Sequence, residues 1–362
     1  VRSGGRWVAL DHADLNAAAA ALAERANTTQ LTGAEMLRHA LGLEGSQLAG
    51  GMSMAGSSWA ADLLASASAV AAEPVVTPDG FDGDLRSYQA EALGWLGFLD
   101  GAGLGGCLAL DMGLGKTPTM LAHLMATAGD GPALVIAPPA VVGNWASEAA
   151  KFTPKLKVVV HHGASRASVD EIASEAATAD VVITTYGTAV RDIAAIEKIR
   201  WDRLVLDEAQ AIKNPANDTS QQLRRIDARV RVALTGTPIE NGLGDLWAIL
   251  DFTNPGLVGP RPQFIAQMSG GGTSARAQGE DALRALNGIL VFRRTKAEPA
   301  IAAELPDRVD TLDHCSMTPE QIGLYQAVLD RLITHSSEDA DPRKGEVLAA
   351  ITALKQICKH PA

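Results

Sequence analysis

Three short clusters in this 362-residue chain have residue types and spacings suited to phosphate chemistry. The first is Leu110-Asp111-Met112-Gly113-Leu114-Gly115-Lys116-Thr117-Pro118, which follows an apolar run and opens a helical pattern. Glycines there let backbone N–H groups turn onto phosphate oxygens, and the helix N-terminus adds partial positive charge. Lys116 can reach β- and γ-phosphates, and the Thr117 hydroxyl can ligate Mg2+. Leu110 stands where the strict phosphate-loop pattern has its first Gly, so a helix start with an incidental Lys stays open on this segment alone. The second cluster, Arg203-Leu-Val-Leu206-Asp207-Glu208-Ala-Gln210, reads as an apolar strand ending in two adjacent carboxylates. Side chains alternate along a strand, so the two can serve different centres. Asp207 would hold Mg2+, directly or through water, and Glu208 would orient or deprotonate an attacking water. A solvated acidic turn is the bland alternative, and the strand–glycine loop–helix upstream weighs against it. The third cluster is Leu234-Thr235-Gly236-Thr237-Pro238. Its hydroxyls could bridge a γ-phosphate sensor to whatever lies beyond, or it could be an ordinary turn.

Positioning these clusters requires strands whose ends meet. Apolar runs at 107–110, 133–137, 157–161, 181–185, 203–206 and 231–234 alternate with helical patterns at 116–126, 141–152, 168–177, 189–199 and 219–225; a further helix is expected at 243–251. That alternation predicts an α/β, doubly wound parallel sheet, with ligands at the carboxyl ends of the strands. Beyond Asp251 the alternation stops. Residues 254–262 are Pro/Gly-rich, 269–279 read as a flexible loop, and 281–289, 319–332 and 346–357 read as amphipathic helices. Helical patterns at 15–26 and 33–43 precede a turn-rich boundary at 73–83.

Composition narrows the class. With 47% hydrophobic and 20% charged residues the chain is globular, and with 4% aromatics its core must rest on Ala, Val and Leu. Three scattered cysteines exclude a disulfide framework and a zinc site. No stretch reads as a membrane span and the first residues hold no secretory signal. A chain opening on Val1 is expected to be a fragment. The net charge of −11 argues against a surface that coats nucleic acid indiscriminately, though not against one basic groove.

In order, these motifs resemble the Swi/Snf-type family of ATP-dependent DNA translocases within helicase superfamily two, specifically the first RecA-like lobe of a bacterial member. Leu85-Arg86-Ser-Tyr-Gln89 through Trp95 looks like the family's adenine-side motif, and 111–117 like its form of motif I, which accounts for the absent first glycine. Pro138-Pro139 through Asn144-Trp145 looks like motif Ia, and Thr184-Thr185-Tyr186 like the following DNA-side motif. Residues 207–210 match motif II and 234–250 the long motif III. Val291-Phe-Arg293-Arg294-Thr295-Lys296 and Leu305-Pro306 match the segment leading towards a second lobe.

The resemblance implies a RecA-like phosphate-loop fold with helical N- and C-terminal accessory segments and the second motor lobe absent. The implied division is an accessory segment at 1–80, an ATP-binding lobe at 81–253 and a helical extension at 254–362. It implies ATP and Mg2+ as cofactors, with Lys116, Asp207 and Glu208 catalytic and Thr117 and Asp207 on the metal. Nucleotide contacts would come from Arg86, Gln89, Met112, Gly113, Leu114, Gly115, Lys116, Thr117, Pro118, Gln210, Thr235, Gly236 and Thr237. Double-stranded DNA would be gripped through its phosphates by Pro138, Pro139, Asn144, Trp145, Lys151, Thr184, Thr185, Tyr186 and Asn241, in a cytoplasmic, nucleoid-associated setting. Gln210 departs from the His of many members and cannot become cationic, which puts ATP-to-DNA coupling in doubt. The expected activity is a DNA-dependent ATPase that translocates on duplex DNA to remodel protein–DNA complexes, weak in these residues alone because completing arginines belong to the second lobe. A nucleotide-dependent DNA- or protein-binding module without turnover is the alternative, and a small-molecule phosphotransferase is disfavoured for want of a lid or acceptor site.

Overall fold

The computed structural model describes residues 75–163, 166–168, 171–238, 242–269, 286–306, 316–336 and 344–359, with a short antiparallel pair, Arg2–Ser3 and Arg6–Trp7. The helices expected at 15–26 and 33–43, the loop expected through 270–279, and Asn241 lie outside the described residues. Two compact units divide the chain, Val1–Leu305 and Pro306–Ala362.

The first unit is organised by seven strands: β1 (Gly106–Leu110), β2 (Ala133–Ala137), β3 (Val158–His161), β4 (Val181–Thr185), β5 (Trp201–Leu206), β6 (Ala228–Leu234) and β7 (Val291–Arg294). They form one sheet in the order β3-β4-β2-β5-β6-β1-β7, with every neighbouring pair parallel. A parallel strand covered on both faces must be apolar throughout, and β1, β2 and β4 are buried at all five positions. Alternation splits their side chains between two cores. On one face Leu108, Leu110, Val135 and Val205 pack with α1 (Ser87–Gly101), α2 (Lys116–Ala126) and α3 (Pro139–Phe152). On the other, Cys107, Ile136 and Leu206 pack with residues of α4 (Ile172–Thr178), α5 (Tyr186–Arg191), α6 (Ile193–Ile196), α7 (Asp218–Leu223) and α8 (Leu243–Thr253).

Register brings the motif-bearing strand ends into one row. Leu206 pairs with Ile136 and Ala233, and Leu108 with Leu234, so the loops after β2, β5, β6 and β1 emerge side by side. The sheet thus extends beyond the six expected strands and beyond residue 253, because Val291–Arg294 adds itself to β1 as an edge strand. Two further differences are local. α3 starts at Pro139 rather than 141, since proline suits the first helical position. The single helix expected at 189–199 is two, α5 and α6, parted at Asp192, whose carboxylate accepts hydrogen bonds from His161 Nε2 and Arg166 Nε, each at 3.0 Å. α9 (Arg261–Ser269), helical residues 286–290 before β7, and α10 (Pro299–Glu304) complete the described part of the unit; 281–285 of the helix expected at 281–289 lie outside it. In the second unit α11 (Pro319–Ser336) pairs with α12 (Lys344–Lys359), where Gln321 Nε2 donates to the Ile357 carbonyl at 2.8 Å.

Candidate functional site

The phosphate loop leaves β1 and enters α2 through two glycines with left-handed backbones, Gly113 (φ 82°) and Gly115 (φ 78°). At Gly115 the requirement is double, because a Cβ there would also stand 2.3 Å from Gln89 Nε2. Gln89 is buried: its Oε1 accepts from the Arg86 N–H at 2.9 Å and its Nε2 donates to the Leu114 carbonyl at 3.1 Å. The side chain expected to meet a base thus locks the start of α1 to the loop. Arg86 sends its guanidinium to the Glu304 carbonyl. Lys116 Nζ lies 3.1 Å from the Leu110 carbonyl, folded over its own loop. Thr117 and Pro118 are half-buried in the first turn of α2, and Met112 stands out of the loop at 79% exposure.

Asp207 sits at the end of β5, two strands from β1 and about 10 Å across the sheet. It is held from all sides. Its N–H donates to the Ile136 carbonyl at 2.8 Å. Oδ1 accepts from the Glu208 N–H at 2.9 Å, Oδ2 from the Trp145 indole at 2.8 Å, and its carbonyl from the Tyr186 hydroxyl at 2.7 Å. Burial at 7% exposure pushes its pKa above the ordinary carboxylate value; the Trp145 bond and the Lys116 charge oppose this, and the Glu208 charge adds to it. Burial first, and the Asp207 and Glu208 charges next, hold the Tyr186 phenol well above its ordinary value, so it stays a donor.

Glu208 takes a left-handed backbone (φ 52°) at the turn into the 3-10 segment Ala209–Ile212. From it runs a polar relay. Gln210 Nε2 donates to Glu208 Oε2 at 2.9 Å, Thr235 Oγ1 donates to Gln210 Oε1 at 3.4 Å, and the Thr237 N–H donates to Thr235 Oγ1 at 3.1 Å. Gln210 therefore bridges the carboxylate to the end of β6 with both halves of its amide, which a single imidazole could do only in one tautomer at a time.

The donor set fits a magnesium ion. Each Asp207 oxygen takes one N–H bond and keeps lone-pair capacity, and the Thr117 hydroxyl would be a second hard oxygen. Among the described residues no group of three or more His, Cys, Asp or Glu forms a metal cage. One or two protein oxygens completed by phosphate and water is the usual arrangement for this ion.

Three residues expected on a duplex are committed inside the protein. Trp145 is fully buried, Thr184 Oγ1 donates to the His161 carbonyl at 2.8 Å, and Thr185 Oγ1 caps α5 from the Thr188 N–H at 3.2 Å. Their side chains present no duplex-facing surface here, because each has a buried polar group to satisfy. Pro139, Asn144 and Lys151 are exposed along α3, and Pro138 and Tyr186 are half-buried.

Two residues join the site that motif reading left without a role. Arg293 on β7 donates through Nη2 to Asp111 Oδ1 at 2.9 Å and through Nη1 to the Gly236 carbonyl, tying the phosphate loop to the turn after β6. Asp111 Oδ2 accepts in turn from the Lys296 N–H at 3.0 Å. The doubled Arg293-Arg294, directly after two apolar residues, was the available signal.

A model of the SNF2-related domain matches residues 88–362. The putative ATP-dependent helicase/translocase YwqA of Bacillus subtilis is 37% identical over 299 residues, 80% of this chain and 32% of that protein. The mouse chromatin-remodeling ATPase INO80 is 32% identical over 325 residues, 82% of this chain and 21% of that protein. The Sulfolobus solfataricus SWI2/SNF2 ATPase core in complex with dsDNA is similar in structure, with a TM-score of 0.58 and 36% identity over 80% of this chain and 60% of that one. The chain thus spans about a third or less of these two curated relatives.

Proposed function

Since the chain belongs to the SNF2-related domain family, we propose that it is the ATP-binding lobe of a DNA-dependent ATPase that translocates on double-stranded DNA to remodel protein–DNA complexes. One observation carries this reading: the loop holding Lys116, the Asp207-Glu208 pair and the Thr235 turn emerge side by side from β1, β5 and β6. In that row Lys116 exchanges the Leu110 carbonyl for nucleotide phosphate, and the N-terminus of α2 faces the same anion. Thr117 and Asp207 hold magnesium, which neutralises charge on the phosphates when bound. Glu208 orients the attacking water, and the Gln210–Thr235–Thr237 relay reports its position to β6.

The exposed part of α3, with Asn144 and Lys151, and the start of α5 at Tyr186 meet the duplex through its phosphates, as suits a motor indifferent to sequence. Double-stranded DNA and a second RecA-like lobe are the partners. The ATP-binding lobe takes in the sheet through β7, with 1–80 as an accessory segment. A nucleoid setting accords with these partners; among the described residues no helix is long and apolar enough to cross a membrane.

Family arginines that complete such a site are worth about 10³–10⁵ in rate, and by the resemblance they sit on a second lobe. These 362 residues are therefore expected to bind ATP or ADP with Mg2+ and to hydrolyse ATP slowly. Lys116→Ala should weaken nucleotide binding about 100-fold by removing a charge-assisted contact, whereas Glu208→Gln should spare binding and remove residual turnover. Isothermal titration with ADP and phosphate-release assays, with and without duplex DNA and the second lobe added in trans, read both. Undiminished binding by the Lys116 variant would refute the site. Failure of the added lobe to raise turnover would favour a nucleotide-dependent binding module instead.

A further inference from the structure

We propose that Trp145 and Tyr186 are positioning residues that fix Asp207 for the metal, one through its carboxylate and the other through its backbone carbonyl. The inference rests on the reading of Asp207 as the magnesium carboxylate. Trp145 lies on α3, directly after the exposed Asn144, with its ring fully buried between that helix and the sheet. A buried indole N–H needs an acceptor, and the one it takes is Asp207 Oδ2 at 2.8 Å. Tyr186 opens α5, after β4, and its hydroxyl reaches the Asp207 carbonyl at 2.7 Å. Packing alone would not select the phenol, since Phe fills nearly the same space at 186 and offers no donor; at 145 a Phe, though smaller, keeps an aromatic ring in the core and likewise offers none.

The two bonds act on different freedoms. The indole fixes the rotation of the carboxylate about its own axis, opposite the Glu208 N–H on Oδ1. The phenol fixes the peptide that follows Asp207, and so the turn in which Glu208 stands. Both donors come from the elements read above as duplex-facing, α3 and the start of α5.

The test is the affinity of the full chain for N-methylanthraniloyl ADP, measured in Mg2+ and again in EDTA, for the parent, Trp145→Phe, Tyr186→Phe and Asp207→Asn. The ratio of the two dissociation constants reports the metal's share of binding. Asp207→Asn should collapse this ratio. Trp145→Phe should lower it about tenfold, the worth of one hydrogen bond to a charged group, and Tyr186→Phe about threefold, with EDTA affinities unchanged within about twofold. Equal weakening in both buffers, or an intact ratio in both Phe variants, overturns the proposal while a collapsed ratio in Asp207→Asn leaves the site reading standing. An intact ratio in Asp207→Asn overturns both. Should Trp145→Phe fail to fold by circular dichroism, Tyr186→Phe, which loses a single oxygen atom, decides the matter alone.

Discussion

Glu208 is, among the described residues, the one non-glycine with a left-handed backbone, at φ 52°. Such a conformation costs on the order of 1–3 kcal/mol and persists only where neighbours over-determine it. Here the Glu208 N–H is held by Asp207 Oδ1 and its side chain by Gln210. The strain is part of what presents a carboxylate beside Asp207 without letting the two share one centre. Its size can be isolated by comparing two variants. Glu208→Gln and Glu208→Gly both remove the like-charge repulsion on Asp207, but glycine alone also relieves the backbone. After allowance for glycine's larger freedom in the unfolded chain, Glu208→Gly should exceed Glu208→Gln in stability by about 1 kcal/mol, although both lose turnover. Urea unfolding measures the difference, and a glycine variant less stable than the glutamine variant by about 1 kcal/mol, glycine's entropy cost alone, would show that no strain is held there.

At the scale of elements, β7 is what the sequence hides and the site needs. Five of the six expected strands are apolar runs long enough to read directly; β1, β2, β4 and β5 lie inside the sheet and are walled by helices on both faces, while the edge strand β3 leaves Val160 exposed. Val291-Phe-Arg293-Arg294 is half charged, with only Phe292 buried, so nothing in its pattern separates an edge strand from a loop. The start of β6 was obscured likewise, since Arg229 and Arg231 interrupt its apolar pattern; Arg229 pairs with Asp202 and Asp100, and Arg231 donates to the Ile226 carbonyl. Features that are local, such as the left-handed Gly113 and Gly115 in the turn from β1 into α2, could be read from the sequence. The inward duties of Trp145, Thr184 and Thr185 could not, because they depend on which strand end lies next door. β7 earns its place through Arg293, which joins Asp111 in the phosphate loop to the Gly236 carbonyl after β6. A double-mutant cycle of Arg293→Ala and Asp111→Asn should return a coupling of about 1 kcal/mol in urea unfolding, a modest figure because both side chains are about a third exposed. Purely additive effects would mean that the pair holds nothing together.

Across the whole molecule, α2 runs from the phosphate loop at the carboxyl ends of the strands towards their starts, and its two ends impose opposite electrostatic demands. At its start the Lys116 charge adds to the partial positive charge of the helix N-terminus. Near its end His123 is buried beside an ionic cluster in which Arg203 pairs with Asp100 at 2.9 Å and Arg229 with Asp202 at 2.7 Å. Burial first, and the Arg203 charge next, push the His123 imidazole down to about 4, so it remains neutral wherever the protein is folded near neutrality. The unfolded chain takes up that proton near pH 6.5 and the folded chain only near 4, so the unfolded state binds more protons throughout that window. Stability therefore falls as the pH drops from about 6.5 towards 4, and His123 contributes no pH dependence above it. Between pH 7.5 and 5 the loss from this one residue should be about 2 kcal/mol. Asp192 and Asp202, held below the usual carboxylate range by their arginine partners against the cost of burial, add their own loss at more acidic pH, outside this interval. His123→Leu removes the titrating group and leaves those pairs in place, so urea midpoints of variant and parent should diverge least at pH 5 and most at pH 7.5 if leucine packs worse. Their slopes against pH should differ in either case. Parallel slopes would place the acid sensitivity of the fold elsewhere than at the foot of the helix that carries the phosphate loop.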